Sequence, residues 1–255
     1  MTVEIARYPS LRDAVVLITG GGSGIGAALT QRFAEQGSKI GFLDIADAPS
    51  EALASKLRDA GHQVVFKHAD LRNIDELRAG IAAIREELGP IGILLNNAAH
   101  DQRHATPDVT PEYFDERIAV NLKHQFFAAQ AVLPDMQAAQ KGCIINFGSL
   151  SWMLGQGGMP IYTAAKSAVL GLTRSLARDY GKDNIRVLSV APGWIMTDRQ
   201  LELWMTPEAD KDRLDRQCLK RPLVPDDVAR ATLFFASDEA GAMTNQSYLV
   251  DGGWL

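Results

Sequence analysis

Two cysteines in 255 residues are too few for a disulfide framework. Cys143 lies in an apolar run and Cys218 in a polar stretch with helical pattern, so no thiolate metal site is expected either. His124 has no acidic or histidine partner at ligand spacing, and no metal is expected there. With Lys123 it reads as a solvated or interface residue. Basic residues (26) are outnumbered by acidic ones (31), giving a net charge of -5 and no Lys/Arg block. That balance argues against a nucleic-acid surface. No apolar run reaches the roughly 20 residues of a membrane span. The opening MTVEIARYPS carries an acid and no long apolar core, so it does not read as a signal peptide, and a cytoplasmic location is expected. Internal repeats and low-complexity segments are absent as well.

What is present is ordinary for a globular chain: 46% hydrophobic and 22% charged residues. Residues 1–255 are expected to bury one core as a single domain. Short apolar runs alternate with helix-period segments along the chain. The runs AVVLITG (14–20), KIGFLD (39–44), QVVFKHADL (63–71), IGILLNNAAH (91–100), CIINFGS (143–149), IRVLSVAPG (185–193) and SYLVDGG (247–253) read as strands. The alternation predicts an α/β fold, a Rossmann-type doubly wound parallel sheet of about seven strands with helices on both faces. A charged helical insertion at about 195–222 breaks the pattern and reads as a lid over a substrate.

Between the first strand and its helix lies TGGGSGIG, Thr19 to Gly26. Strand, glycine turn and helix together make a phosphate cradle. Gly20 permits the tight turn, Gly24 lets backbone approach a pyrophosphate, and Gly26 lets the helix pack close. The second strand ends in Asp44, placed to accept hydrogen bonds from adenosine ribose hydroxyls and to repel a 2′-phosphate. Ser23, before Gly24, offers no basic group for that phosphate, so NAD is expected rather than NADP. Asp70 closes the third strand, where it either reaches the adenine edge or caps the helix beginning near Ile74. Asn96 and Asn97 end the fourth strand, and Ala98 and Ala99 leave room for a ribose.

The stretch SLSWMLGQGGMPIYTAAK, Ser149 to Lys166, carries the chemistry. Tyr162 and Lys166 are four residues apart in a helical segment, hence on one face. A free phenol, pKa about 10, is a poor base near neutrality. An ammonium about 4 Å away at an effective dielectric of about 20 favours the phenolate by roughly 4 kcal/mol, about three pKa units. Such a pair takes a proton from an alcohol, and the Ser149 hydroxyl can hold the substrate oxygen. Asn121, in the middle of a long helix, either distorts that helix to hold water or caps a local bend. Thr197, just past Pro192-Gly193, places a hydroxyl where a nicotinamide carboxamide would lie.

These motifs together resemble the short-chain dehydrogenase/reductase family over essentially the whole chain. TGGGSGIG is similar to its cofactor loop, NNAA to its fourth-strand signature, YTAAK to its active-site motif and PGWIMT to its nicotinamide-side turn. Ala99 stands where the family usually has glycine and adds one methyl near the cofactor. The resemblance implies that Ser149 orients the substrate oxygen and that Tyr162 is the base. It implies that Lys166 lowers the tyrosine pKa and binds the nicotinamide ribose, and that Asn121 holds a relay water. It extends the cofactor set to Ser23, Ile25, Leu71, Asn97, Ala98, Pro192, Gly193 and Ile195. LDIAD, NFGSLSW, DERIAVNL and QCLKRPLVP further resemble the NAD-dependent aldose 1-dehydrogenases within the family, which implies oxidation of a cyclic sugar at C1 to a lactone. His100, Arg103, Ser151, Trp152, Gln156, Trp194, Gln200 and Trp204 are the candidate substrate contacts, with Asp101, Gln102 and His104 beside them. Polar side chains and aromatic faces of this kind suit a pentose or 6-deoxyhexose better than a steroid or acyl chain.

Two other readings stay open at this stage: a dehydrogenase of a secondary alcohol in a sugar acid or polyol, and a non-catalytic NAD-binding regulator on the same fold. The resemblance also implies a homotetramer. Apolar or small residues on more than one helix face (Phe126, Phe127, Ala131; Ala165, Val169, Leu172) fit that expectation, as does a C-terminal Trp254-Leu255 able to dock on a neighbour.

Overall fold

The computed structural model describes residues 5–255. Its strands are β1 (Val15–Thr19), β2 (Lys39–Asp44), β3 (Val64–His68), β4 (Ile93–Asn96), β5 (Gly142–Phe147), β6 (Ile185–Pro192) and β7 (Ser247–Val250). They form one seven-stranded sheet in the order β3-β2-β1-β4-β5-β6-β7. Every pairing is parallel. The chain winds outward from β1 to β3, then returns to lay β4 on the other side of β1. That reversal opens a crevice at the carboxyl ends of β1 and β4.

Period-2 alternation feeds two cores. Val16 and Ile18 of β1 pack in one cluster with α1 (Gly24–Glu35), α2 (Asp47–Asp59) and α9 (Pro225–Ala236). Val15 and Leu17 point the other way, toward α3 (Ile74–Leu88), α5 (His124–Ala139) and α6 (Pro160–Tyr180). Because both faces are covered, the inner strands are mostly apolar, as their runs predict, with Thr19, Asn96, Asn146 and Ser189 as buried polar exceptions. Asn73 caps α3, its Oδ1 accepting from the Asp75 amide at 3.0 Å. The capping alternative for Asp70 is therefore corrected.

The long helix of the sequence reading is real but interrupted. α4 (Pro111–Ile118) runs through a π-helical turn at Ala119–Lys123 into α5. Asn121 causes the break: its Nδ2 donates to the Arg117 carbonyl at 2.9 Å, competing for the acceptor four residues back. The charged insertion folds as α7 (Asp198–Leu203) and α8 (Pro207–Arg216), capped by Thr197 and Thr206. Arg213, only 1% exposed, pins α8 by donating to Asp210 and to the Arg221 carbonyl. Cys218 lies beyond the end of α8, exposed in a bend, rather than in a helix. Ala165 and Val169 belong to the buried side of α6, and only Phe126 of the expected set stands exposed, at 44%. Trp254 lies beside Trp194 of its own chain, ring centroids 6.5 Å apart. No helix among the described residues is long and apolar enough to cross a membrane.

Candidate active site

The glycine turn is shaped by what its residues lack. A Cβ on Gly26 would lie 1.7 Å from the Gly20 carbonyl oxygen, so only glycine lets α1 start against the end of β1. Gly20 has φ +67, and a Cβ there would meet the Ala98 Cα at 2.9 Å. The end of β4 closes on this turn through side-chain amides. Asn97 Nδ2 donates to the Thr19 and Gly20 carbonyls at 3.1 and 2.9 Å, and the Ala98 amide donates to Thr19 Oγ1 at 3.1 Å. Ser23 is the exposed N-cap residue of α1, Ile25 is half-buried against the core, and Gly24, φ +52, faces Thr197, whose Cγ2 a Cβ would approach to 3.2 Å. Loop 193–197 thus sits over the glycine turn. Gly193 donates to the Val250 carbonyl at 2.9 Å, and Ile195 bridges to Leu223, which fixes the path after Pro192.

Asp44 is buried at the tip of β2. Its Oδ2 accepts from the Gly22 amide at 2.9 Å and its Oδ1 from the Ala46 amide at 3.0 Å. Each oxygen keeps a lone pair for a further donor. Ser50, fully buried against Gly22, has an unpartnered hydroxyl; sequence reasoning missed it because nothing marks a serine inside α2. The glycine cradle and the Asp44 oxygens fit a dinucleotide with free ribose hydroxyls. Asp70 is less available. Arg72 occupies both its carboxylate oxygens at 2.6 to 3.0 Å, and that hydrogen bonding holds the carboxyl below its usual range. Leu71 beside it is buried.

Across the crevice, the first turns of α6 present Tyr162 and Lys166 on one stripe. Lys166 is 2% exposed, donates to the Phe147 carbonyl at 2.8 Å and lies 5.9 Å from the Tyr162 ring centroid. Burial lowers the Lys166 ammonium to about 7. Burial pushes the Tyr162 phenol up to about 12; a hydrogen bond with Ser149 works downward, and the Asp101 charge adds to the rise. The expected lowering of Tyr162 by Lys166 is corrected here. The ammonium is committed to the Phe147 carbonyl, and the phenol's own desolvation sets the direction of its shift.

Asn121 clamps the peptide of His100: its Oδ1 accepts from the His100 amide at 2.9 Å, and its Nδ2 donates to the His100 carbonyl at 3.2 Å. Arg117, nearly buried, donates to His100 Nδ1 at 2.8 Å, so the ring is an acceptor there. Burial, with Arg199 and Arg117 nearby, lowers the His100 pKa. His124, expected to be solvated or at an interface, is fully buried behind the site, with neither ring nitrogen hydrogen-bonded. Burial first, and the Lys166 charge second, depress it to about 3. Lys123 is exposed. Beneath lies a buried ladder that the sequence reading left out: Asn96 Nδ2 donates to Asn146 Oδ1 at 2.9 Å, and Asn146 Nδ2 to Thr173 Oγ1 at 3.1 Å. Asparagine pairs in register on adjacent strands are invisible until the strand order is known.

The candidate substrate residues separate into two groups. Asp101, Trp194 and Gln200 are joined by hydrogen bonds, and the Arg103 guanidinium stacks 4.0 Å from the Trp204 ring centroid. Trp152 and Gln156 instead line a shallow groove with Thr163 and Ser167, one stripe round α6 from Tyr162. Ser151 is buried at the groove's edge, its amide donating to Ser149 Oγ at 3.1 Å.

A parallel α/β sheet with a glycine cradle at its switch point and a Ser-Tyr-Lys set across the crevice defines a dinucleotide-dependent dehydrogenase. A family model described as enoyl-(acyl carrier protein) reductase matches residues 20–255, and the chain belongs to that family, the short-chain dehydrogenase/reductases. It is an oxidoreductase acting on CH–OH groups. The chain is 48% identical over 254 residues to the "Probable galactose dehydrogenase GalD" of Rhizobium meliloti, covering 99% of each chain. It is likewise 48% identical over 249 residues to a D-xylose 1-dehydrogenase of Caulobacter vibrioides, covering 98% of each. The solved structure of a variant short-chain dehydrogenase/reductase from Serratia marcescens superposes with a TM-score of 0.88 at 31% identity, covering 96% of this chain and 99% of the other.

Proposed function

We propose that this protein oxidises a sugar, a pentose or 6-deoxyhexose, at C1 to its lactone with NAD as cofactor. The observation that carries the reading is the stripe of Tyr162 over buried Lys166, facing Ser149. The two relatives named for galactose and D-xylose support the sugar class. Asp44 supports NAD, since its carboxylate welcomes ribose hydroxyls and repels a 2′-phosphate.

Bound in the cradle, the nicotinamide dinucleotide supplies the acceptor for the hydride that leaves C1. Gly20 to Gly26 would hold its pyrophosphate, Asp44 its adenosine ribose, and Asn97, Ala98 and Pro192 to Thr197 would line the rest of its path. Leu71, with what Asp70 leaves free, borders the adenine. Ser149 hydrogen-bonds the anomeric hydroxyl, and Tyr162 takes its proton. Lys166 would bind the ribose hydroxyls, and its ammonium beneath the ring would favour the phenolate. Asn121, in its π-turn, would hold a water that carries the proton outward. The segment at 195–222 acts as the lid. A homotetramer remains the expected assembly, with exposed Phe126 as its apolar contact; a monomer mass by light scattering contradicts it.

The test is NADH absorbance on purified protein with D-xylose, L-arabinose, L-fucose and D-galactose, followed by lactone detection. Turnover of an aldose with lactone as product supports the reading. Turnover confined to sugar acids or polyols replaces it with oxidation of a secondary alcohol.

A further inference from the structure

One charged group beside the phenol has no part in the chemistry above. Asp101, on the loop after β4, has its side chain 20% exposed. One carboxylate oxygen accepts from Arg199 Nε at 3.2 Å and the other from Gln200 Nε2 at 2.8 Å. Gln200 is itself fixed, its Oε1 accepting from Trp194 Nε1 at 2.8 Å. A carboxylate has about four lone-pair sites, so two donors leave about two open. Asp101 also lies close enough to Tyr162 for its charge to act on the phenol. The other groups bearing on that phenol are Lys166 from α6 and Ser149 from the end of β5, while His100 and Arg199 flank Asp101 itself. Asp101 is therefore an oriented, partly desolvated acceptor, next in sequence to the His100 peptide that Asn121 clamps, and it is held there by α7.

We propose that Asp101 is the specificity-determining residue of the site: its open lone pairs accept the substrate hydroxyl next to the reacting carbon, while Arg199 and Gln200 use the occupied ones to tie α7 down over it. This rests on the polyhydroxylated substrate class proposed above. A substrate with that neighbouring hydroxyl satisfies the carboxylate. One without it leaves a desolvated charge against a methylene, and sites built to hydrogen-bond a hydroxyl reject the analogue that lacks it.

The experiment compares Asp101→Asn with wild type on the best aldose and on its 2-deoxy counterpart, which keeps the anomeric centre. Dinucleotide affinity by fluorescence quenching, unchanged within about twofold, checks the fold; Asp101→Ser repeats the test if Asp101→Asn does not fold. We expect kcat/KM to fall about 30-fold or more on the aldose, the scale of one hydrogen bond to a charge, and less than about threefold on the 2-deoxy sugar. The alkaline limb of kcat against pH should also move to lower pH, because a negative charge opposing the phenolate is gone. Equal losses on both sugars, no loss on either, or an unmoved limb overturns the proposal. If wild type oxidises no aldose but another alcohol, the sugar reading fails separately. The same two readouts on that alcohol and its deoxy counterpart then decide the role of Asp101.

Discussion

Around the glycine turn, the cleft is shaped by backbone and by missing side chains: Gly26 against the Gly20 carbonyl, Gly20 against Ala98, Asp44 on two amides. On the opposite side, at Asp101, Gln200, Trp194 and Arg103, nearly every shaping contact is side chain to side chain. The first kind of wall follows from chain path alone and tolerates almost no substitution. The second can be rebuilt by exchanging a few loop residues, and this suits a shared cofactor and a variable substrate.

The harshest way to break that contrast is Gly26→Ala. A methyl 1.7 Å from a carbonyl oxygen forces α1 off the sheet. We expect a loss of about 3 kcal/mol, a Tm drop of roughly 6–12 °C by calorimetry, and loss of dinucleotide binding. Unchanged melting would show that the backbone wall is softer than described.

Asp44→Ala comes next. It removes the carboxylate at the tip of β2, so NAD affinity should fall about 10- to 100-fold while NADP affinity falls less or rises. Equal losses for the two dinucleotides, measured by titration, would dissociate Asp44 from cofactor choice.

The smallest effect sharpens the comparison at the seam between the halves. His124 titrates near 3 when folded, against about 6.5 for an open chain. Between those values the unfolded chain binds the extra proton, so stability rises with pH across that window and falls on acidification. Relative to pH 7, the cost at pH 5 is about 2 kcal/mol, and His124→Asn should remove most of it. Identical acid sensitivity in denaturant melts of the two proteins contradicts this.

Most of the cofactor wall was legible in the chain because it depends on local order: apolar run, glycines, helix, then an acid at the next strand's end. Tyr162 and Lys166 were legible for the same reason, since four residues of helix fix a shared face. The pKa of that pair was not. Its sign depends on where the Lys166 ammonium points and how dry the site is, and neither is written in spacing. His124 looked polar and therefore exposed, but its position one turn past Asn121 turns it inward. Trp152 and Gln156 were grouped with the substrate residues by neighbourhood in sequence, while the turn before α6 carries them one stripe away from Tyr162. The Asp101–Gln200 contact joins residues 99 apart and needed the fold.

The most direct test of the account is Tyr162→Phe, assayed for NAD binding and for single-turnover NADH formation on the best substrate. We predict NAD affinity within about threefold of wild type and a chemical step slower by about 10³-fold or more, the scale of a lost general base. A Tyr162→Phe protein that still turns over at the wild-type rate would contradict the account at its centre.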